Sequence, residues 1–295
     1  MASTIFGFAE CEAPGRRLAE ALGVPFSMVT VRKFPDGESL VRVRGVTPSA
    51  ILFRPLDDPN AKLIELLLAA AALRDNGAAR VILVAPYLAY MRQDIAFHPG
   101  EAVSQKVIGA LLAEHFDAVL TVDPHLHRIS NLSEVMPGIA AISLSAAPVL
   151  STALDDGSAP VLVGPDGESR PWVEAIAAPL GLDVLVGTKQ RHDDRDVSIT
   201  INGIHEVAGR PVVLVDDVIS SGETMVQAAQ LLRDAGSVSV EAVATHCLAS
   251  AEDLARMKVS GIARIRSTDS IAGPTADIPL TPVLADALRA GGFCK

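Results

Sequence analysis

The sequence predicts an α/β protein of two similar domains, each a mainly parallel sheet flanked by helices. Short apolar runs rich in β-branched residues alternate along the chain with amphipathic or Ala/Leu-rich segments of helical length, as in buried parallel sheets. In each half, a run that ends near Pro is followed by one that ends in Asp: Val81–Tyr87 and Val119–His125, then Val161–Asp166 and Val212–Asp217. This weak internal repeat predicts that the two halves fold alike.

We expect the domain boundary between residues 143 and 144. The first domain then spans residues 1–143 and the second spans 144–280, with no low-complexity linker between them. The last segment, about 281–295, is expected to form a helix that packs on the first domain.

The longest apolar stretch belongs to a predicted helix of the first domain. It covers Leu63–Leu73 and is broken by Glu65, which makes it too short to span a bilayer. Asp58 is placed to cap this helix with Pro59 at its first position, and Asn76-Gly77 is placed to end it. We therefore expect the apolar content, 49% of all residues, to lie in buried strands and helices.

Charge and cysteine content exclude several classes of partner and location. The net charge of −10 disfavours nucleic acid as a partner, although local loops and a divalent metal still allow anionic nucleotide substrates. Three scattered cysteines, Cys11, Cys247 and Cys294, argue against a disulfide framework and for a reducing compartment. No secretory signal is evident at the N-terminus. We expect a cytoplasmic protein with no membrane and no nucleic-acid partner.

One segment of the second half has the residues of a sugar-phosphate site. The run Val212–Val215 predicts a buried strand, and the carboxylates of Asp216 and Asp217 stand where this strand should end. A small, hydroxyl-rich loop follows: Ser220, Ser221, Gly222, Glu223 and Thr224. A helical pattern then covers Met225–Ala235 and stops at Gly236.

The two parts of this segment suit the two parts of a sugar phosphate. Backbone N–H groups at the loop and the helix start, together with hydroxyl groups, favour a phosphate. The carboxylates are acceptors for the vicinal hydroxyls of a sugar. The alternative is an ordinary turn between strand and helix with acidic residues there by chance.

Two polar segments of the first half suit a nucleotide. Phe34–Glu38 places an aromatic ring beside two acidic residues, which fits either a hairpin turn or a base-stacking site. Arg92, Gln93 and Asp94 form a polar loop whose guanidinium suits a phosphate, or else a simple solvated loop.

Four further residues carry groups suited to metal binding or phosphoryl transfer. His125 follows a strand, where it suits either a metal ion or a structural hydrogen bond, and Asp166 follows the next strand pattern. Lys189 and Arg191 are two cations one residue apart, which suits either a clamp on a transferring phosphoryl group or a solvated turn.

Taken together and in order, these segments resemble the ribose-phosphate diphosphokinases, also called phosphoribosyl diphosphate synthetases, from Ala9 to Leu288. The loop Asp216–Thr224 alone also resembles that of type I phosphoribosyltransferases. The family motifs stand here as Phe34-Pro35-Asp36-Gly37-Glu38, Arg92-Gln93-Asp94, Pro99-Gly100-Glu101, Val122-Asp123-Pro124-His125, Pro165-Asp166 and Lys189-Gln190-Arg191. The resemblance implies two phosphoribosyltransferase-type domains, the first for the nucleotide and the second for ribose 5-phosphate.

The same resemblance implies a Mg²⁺-dependent transfer of the diphosphoryl group of ATP to ribose 5-phosphate by a homodimer or larger oligomer. The ATP site would comprise Phe34, Asp36, Gly37, Glu38, Arg92, Gln93, Asp94 and His125. The ribose 5-phosphate site would comprise Asp216, Asp217, Ser220, Ser221, Gly222, Glu223 and Thr224. Mg²⁺ would be held by His125 and Asp166, and the catalytic groups would be Lys189 and Arg191.

Two other functions stay open at this point. A phosphoribosyltransferase acting on a base would share the loop Asp216–Thr224 but would not require Phe34–Glu38 or Lys189. A non-catalytic regulatory homologue is the second, because Glu168 and Glu223 stand where members of the family often have small residues.

Overall fold

The computed structural model describes residues 2–294 apart from Val46, His127, residues 155–156 and residues 192–196. The chain divides into two compact units. Unit 1 comprises Met1–Ser145 and Leu280–Lys295, and unit 2 comprises Ala146–Pro279. The chain therefore leaves unit 1, forms unit 2 and returns to unit 1 for its last helix.

Unit 1 is a parallel sheet flanked by helices, with a separate hairpin. Its strands are β1 (Ser3–Gly7), β2 (Phe26–Met28), β3 (Thr30–Lys33), β4 (Ser39–Arg42), β5 (Ser49–Phe53), β6 (Arg80–Ala85), β7 (Ala118–Val122) and β8 (Ala140–Leu144). Its helices are α1 (Glu12–Leu22), α2 (Pro59–Asp75), α3 (Ser104–His115) and, at the end of the chain, α8 (Thr281–Ala290). The sheet order is β2-β1-β5-β6-β7-β8, and β3 pairs antiparallel with β4.

Unit 2 has the same design. Its strands are β9 (Val161–Gly164), β10 (Val184–Arg191), β11 (Val197–Ile201), β12 (Pro211–Ile219), β13 (Ser239–Cys247), β14 (Ile262–Thr268) and β15 (Ala276–Ile278). Its helices are α4 (Ala147–Leu154), α5 (Arg170–Ala177), α6 (Glu223–Asp234) and α7 (Ala251–Val259). The sheet order is β11-β10-β9-β12-β13-β14-β15, in which only β11 is antiparallel to its described neighbour.

The sequences of the central strands explain this architecture. Every residue of β5, β7 and β9 is buried, as expected for apolar parallel strands covered by helices on both faces. In unit 2 the core joins the sheet to the apolar faces of α6 and α7, through residues such as Leu232 and Met257. The predicted α/β class is confirmed.

The two sheets share one strand order. Counted along the chain, and with β11 set aside, each runs second, first, third, fourth, fifth, sixth. The repeat predicted from the sequence pairs the wrong strands, because β6 and β7 are fourth and fifth in unit 1 whereas β9 and β12 are first and third in unit 2. Polar residues follow several strands of any such sheet, so a Pro or Asp at a strand end does not identify equivalent strands.

The ends of α2 are predicted only in part. The helix begins at Pro59, and Asn76 and the left-handed Gly77 (φ 94°) follow its last residue. The Asp58 side chain makes no capping hydrogen bond, because its backbone is left-handed (φ 46°) instead of extended as at a usual N-cap. Among the described residues, no helix combines the length and the apolar character needed to cross a membrane.

Candidate functional site

The strand that carries the adjacent carboxylates is longer than predicted. β12 continues past Val215 to Ile219, because its last residues pair in parallel with β13, for example Val218 with His246. The expectation that the strand ends before Asp216 is therefore wrong. The backbone of both aspartates is therefore held within a paired strand, whereas the sequence pattern predicted them at the start of a loop.

The carboxylates of Asp216, Asp217 and Asp166 lie close enough to repel one another. Asp216 is half-buried and Asp217 is only 3% exposed, and the Asp217 N–H donates to Asp216 Oδ1 at 3.0 Å. Burial raises the pKa of Asp216 well above its ordinary value, and the negative charges of Asp217 and Asp166 raise it further. Bound hydroxyl donors or a cation would relieve this repulsion.

Asp166 stands beside these acids because of the strand order. It follows β9, which neighbours β12 at the point where the order of the sheet reverses, and ligands of open α/β sheets bind beyond the strand ends at such a point. The half-buried Asp166 carboxylate accepts the Glu168 N–H at 3.0 Å, which fixes its direction. Among the described residues, no cluster of three or more His, Cys, Asp or Glu side chains forms a ready metal cage.

The loop between β12 and α6 presents hydroxyls and a helix N-terminus to solvent. Ser220 and Ser221 are exposed, Thr224 is half-buried, and α6 begins at Glu223, two residues earlier than predicted. Gly222 has φ 74°, so a side chain there would be strained. Glu223 is exposed, so its carboxylate lies in water.

Helix α7 supports this loop in a way that the sequence did not reveal. The Arg256 guanidinium donates to the Ser221 carbonyl oxygen and also pairs with Asp253 at 2.9 Å. Met257 packs so closely under Gly222 that a Cβ there would lie 2.4 Å from its Sδ. The signal is absent from local sequence because Arg256 and Ser221 are 35 residues apart.

Lys189 lies on a hairpin that extends past the neighbouring strand. β10 pairs with β9 only through Val186, and from Gly187 onward it pairs with β11 alone. Lys189 is exposed on this extension, opposite Ile199. Arg191 ends β10, and its side chain lies outside the described residues.

The segment Phe34–Glu38 is the turn of the β3–β4 hairpin, as predicted. The Phe34 N–H donates to the Glu38 carbonyl at 2.8 Å, the Gly37 N–H to the Phe34 carbonyl at 3.0 Å, and the Glu38 N–H to Asp36 Oδ1 at 3.1 Å. Gly37 supplies the positive φ of 94°. Phe34 is half-buried with the Arg32 guanidinium 5.1 Å from its ring centre, and the three residues Asp36–Glu38 are exposed.

The loop after β6 holds one exposed cation and one buried acid. Arg92 is exposed, and half-buried Gln93 accepts the Ser104 hydroxyl at 2.6 Å. The Asp94 side chain is 1% exposed and pairs with Arg128 at 2.6 Å, while its Oδ2 has no hydrogen-bond partner among the described residues. Asp94 is thus placed to fix the loop more than to touch a ligand.

The Pro99-Gly100-Glu101 motif closes the same loop as a compact turn. The Glu101 carboxylate accepts the backbone N–H groups of Phe97 and His98 at 2.8 and 3.1 Å and pairs with His98 Nδ1 at 2.7 Å. The His98 ring and these N–H groups lower the pKa of Glu101. The turn leaves Phe97 66% exposed.

His125 lies in unit 1, just beyond the end of β7. It is half-buried and follows Asp123, which has a left-handed backbone (φ 36°) and whose N–H donates to the Leu144 carbonyl at 2.8 Å. This bend carries the chain away from the sheet, so the imidazole stands at the carboxyl edge where the sequence predicts it.

A second feature missed by the sequence lies in unit 1, beyond β1 and β5. The Arg54 and Glu65 side chains, 5% and 4% exposed, form a 2.7 Å ion pair, and Arg54 also pairs with Glu10 at 2.7 Å. The Arg54 guanidinium lies 3.8 Å from the centre of the Phe8 ring. We call Glu10, Arg54 and Glu65 the charge cluster. Its one sequence signal is the acid that interrupts the apolar stretch Leu63–Leu73.

Comparison with known proteins covers both units. A family model described as the N-terminal domain of ribose phosphate pyrophosphokinase matches residues 3–115, and a phosphoribosyl transferase domain model matches residues 130–275. The ribose-phosphate pyrophosphokinase of Methanopyrus kandleri is 36% identical over 282 residues, which cover 93% of this chain and 94% of that protein. The one from Halobacterium salinarum is 33% identical over 277 residues, 92% and 95% of the two chains.

A solved structure shares the fold. The phosphoribosylpyrophosphate synthetase from Mycobacterium smegmatis aligns with 99% of both chains at a TM-score of 0.85 and 24% sequence identity. At that identity the alignment supports the fold, and the relatives above support the family.

Proposed function

Because the chain belongs to the ribose phosphate pyrophosphokinase family, we propose that it transfers the diphosphoryl group of ATP to ribose 5-phosphate, giving 5-phosphoribosyl 1-diphosphate and AMP. The observation that carries this proposal is that the similarity spans both units, over 93% of the chain in one relative. A phosphoribosyltransferase acting on a base would require only the loop of unit 2.

The acceptor sugar is assigned to unit 2. The 5-phosphate would bind at Ser220–Thr224, where exposed hydroxyls and the first N–H groups of α6 face solvent. The ribose hydroxyls would donate to Asp216 and Asp217, which relieves part of the repulsion that raises the pKa of Asp216. Arg256 supports this loop through the Ser221 carbonyl.

The nucleotide is assigned to unit 1. Phe34 would stack on the base, while Asp36 and Glu38, both exposed in the hairpin turn, would accept hydrogen bonds from it. Gly37 would keep the turn in its left-handed conformation. We also propose that the chain forms a homodimer or larger oligomer in which this turn completes the site of a second copy.

The loop after β6 would meet the phosphates of ATP. Arg92 is exposed and supplies a guanidinium for the polyphosphate, with Gln93 beside it. Asp94 would act through its ion pair with Arg128, which fixes the loop. His125 would complete this side of the site.

Asp166 and His125 are the residues proposed to hold Mg²⁺. Carboxylate oxygens suit this ion, and Asp166 fits because its charge already raises the pKa of Asp216, a repulsion that a divalent cation relieves. When bound, Mg²⁺ would neutralise charge on the polyphosphate.

The reaction needs alignment and charge stabilisation more than covalent catalysis. The anomeric hydroxyl oxygen attacks the β-phosphorus, the bond from that phosphorus to the oxygen of the α-phosphate breaks, AMP leaves, and the hydroxyl proton is released. Lys189 and Arg191 would stabilise the negative charge that develops on the transferred group. No general base is assigned.

A direct assay tests the proposal. The protein is incubated with ATP, Mg²⁺ and ribose 5-phosphate, and AMP is measured with and without the sugar. Sugar-dependent AMP release is expected. Base-dependent diphosphate release from 5-phosphoribosyl 1-diphosphate, without AMP formation, would select the phosphoribosyltransferase. Inactivity in both assays would favour the non-catalytic homologue, for which the exposed Glu223 at the helix start is the supporting observation.

The Lys189→Ala variant tests whether Lys189 acts in catalysis. Loss of one such cation is expected to lower kcat by roughly 10²–10³, with the affinity for ribose 5-phosphate nearly unchanged. Lys258→Ala, which removes another exposed lysine of unit 2, is the matched control and should keep full turnover. Unchanged turnover of Lys189→Ala would remove this residue from the catalytic assignment.

A further inference from the structure

The charge cluster connects the interior of unit 1 to its hairpin. Glu65 Oε2 pairs with Arg54, and its other oxygen, Oε1, accepts the Ser39 hydroxyl at 2.9 Å. Ser39 is the first residue of β4 and directly follows Glu38, the last residue of the turn. The buried Glu65 carboxylate therefore pairs with Arg54, which follows strand β5 of the sheet. It also accepts a hydrogen bond from Ser39, at the end of the hairpin turn.

The position of Ser39 makes this bond an anchor for the turn. Ser39 pairs with Lys33 as the last rung of the hairpin before Phe34–Glu38. The β3–β4 hairpin pairs with no strand of the main sheets in the described chain, so strand pairing with those sheets does not fix the orientation of its turn. The hydrogen bond from Ser39 to Glu65 of α2 ties the end of the turn to unit 1.

Arg54 holds Glu65 in place. Its guanidinium pairs with Glu65 and Glu10, donates to the Lys62 carbonyl at 3.3 Å and lies over the Phe8 ring. Removing ions from water costs free energy, so a buried cluster of this kind contributes little net stability. A polar network whose members are all hydrogen-bonded does favour a single side-chain geometry.

We infer that Arg54, Glu65 and Ser39 form a positioning network that fixes the Phe34–Glu38 turn for the base of the nucleotide. This role rests on the proposed function, since the turn is the assigned base site. None of the three residues is placed in contact with substrate. Their effect is to hold Phe34 and the two acids of the turn in one orientation before ATP binds.

The Ser39→Ala variant tests the network with little risk to folding, because it removes one hydroxyl and leaves the buried ion pair intact. The KM for ATP is expected to rise roughly tenfold, the loss of one hydrogen bond to a charged group, while kcat and the KM for ribose 5-phosphate change little. Ser39→Thr keeps a hydroxyl and should restore most of the affinity for ATP. An unchanged KM for ATP in Ser39→Ala would overturn the inference.

Ser27→Ala is the matched control. Ser27 donates to the Arg44 carbonyl at 3.2 Å, so the variant removes a hydrogen bond near the opposite end of the hairpin. It should leave the KM for ATP unchanged. An equal rise in both variants would show that any weakened contact of the hairpin has this effect, which would also overturn the inference.

Hydrogen–deuterium exchange separates this inference from the proposed function. In the protein without nucleotide, amides of Phe34–Glu38 should exchange several-fold faster in Ser39→Ala than in the wild-type chain or Ser27→Ala. Equal exchange in all three would overturn the anchor even if the wild-type enzyme releases AMP. Faster exchange in Ser39→Ala without AMP release by the wild type would support the anchor and contradict the proposed function.

Discussion

The two units have the same strand order but carry different side chains where that order reverses. In each, this position lies beyond the carboxyl ends of the first and third strands, where open α/β sheets bind ligands, and we call it the crevice. In unit 2 it is lined by Asp166 and the half-buried Asp216, which repel each other. In unit 1 the same place holds the buried pair of Arg54 and Glu65. Strand order thus creates a binding position, and side chains decide whether a ligand or the protein itself occupies it.

The turns after the third strands differ in the same sense. In unit 2 the turn leads through Gly222 to a helix start beside exposed hydroxyls. In unit 1 the turn carries Asp57, which pairs with Lys62 at 2.7 Å, and Asp58, both just before the start of α2. Two carboxylates at a helix N-terminus already satisfy the positive end of the helix dipole and would repel a phosphate. The turn of unit 2 is therefore the one that we propose as the anion site.

The largest effect on stability is expected from removing Arg54, whose ion pair with Glu65 fills the crevice of unit 1. In Arg54→Ala, Glu65 keeps a buried charge without the guanidinium beside it, which should lower the free energy of unfolding by about 3–5 kcal/mol. Thermal and urea denaturation measure the loss. Arg264→Ala, which removes an exposed ion pair with Asp277, is the control and should cost less than about 1 kcal/mol. Similar losses in the two variants would contradict a structural role for the filled crevice.

A smaller effect is expected from deforming the open crevice. Gly222→Ala places a Cβ 2.4 Å from Met257 Sδ in a left-handed backbone, which costs roughly 1–2 kcal/mol for the backbone alone. The KM for ribose 5-phosphate should rise about tenfold or more, with the KM for ATP nearly unchanged. Steady-state kinetics measure both constants.

The matched control is Gly273→Ala, where a Cβ meets no atom within 4 Å and φ is not positive. It should behave as the wild-type chain. If Gly222→Ala kept its affinity for ribose 5-phosphate, the loop of unit 2 would not be the phosphate site.

The smallest effect concerns the repulsion of Asp216 by the carboxylates of Asp217 and Asp166 in unit 2. The pKa of Asp216 is raised in the folded protein, so the folded state binds its proton more tightly than the unfolded state. Its ionised form therefore destabilises the fold as pH rises through the folded pKa, and this cost is absent below the ordinary carboxyl range. Asp216→Asn should raise the Tm at neutral pH by a few degrees at most, with weaker binding of ribose 5-phosphate.

Melting curves at several pH values check this prediction. The difference in Tm between Asp216→Asn and the wild-type chain should shrink on acidification. Asp75→Asn, at an exposed position of unit 1, serves as the control. A difference that grows on acidification would have the wrong sign and would refute the repulsion.

Sequence patterns predicted the features whose residues are neighbours along the chain. The turn at Phe34–Glu38 follows from Gly37 and Asp36, whose conformations and bonds are made within the turn itself. The loop after β12 was expected because its acids, glycine and hydroxyls are neighbours along the chain. The length of β12 was not, because it depends on pairing with β13.

Long-range contacts account for what the sequence did not reveal. Arg256 reaches Ser221, and Arg128 reaches Asp94, across 35 and 34 residues, and neither arginine belongs to a motif. The charge cluster likewise joins residues of separate elements, and only the isolated acid Glu65 in an apolar stretch indicated it. Such partners become visible once the strand order is known.

Beside the filled crevice of unit 1, burial lowers the reactivity of a thiol. Cys11 donates its S–H to the carbonyl oxygens of Phe8 and Phe53 at 3.5 and 3.3 Å, and burial raises its pKa to about 12. At neutral pH it is almost entirely in the thiol form, whereas alkylating reagents attack thiolate. Labelling of Cys11 therefore requires unit 1 to open where β1 and β5 end. The rate at which an alkylating reagent modifies Cys11 in the native chain therefore reports how often this opening occurs.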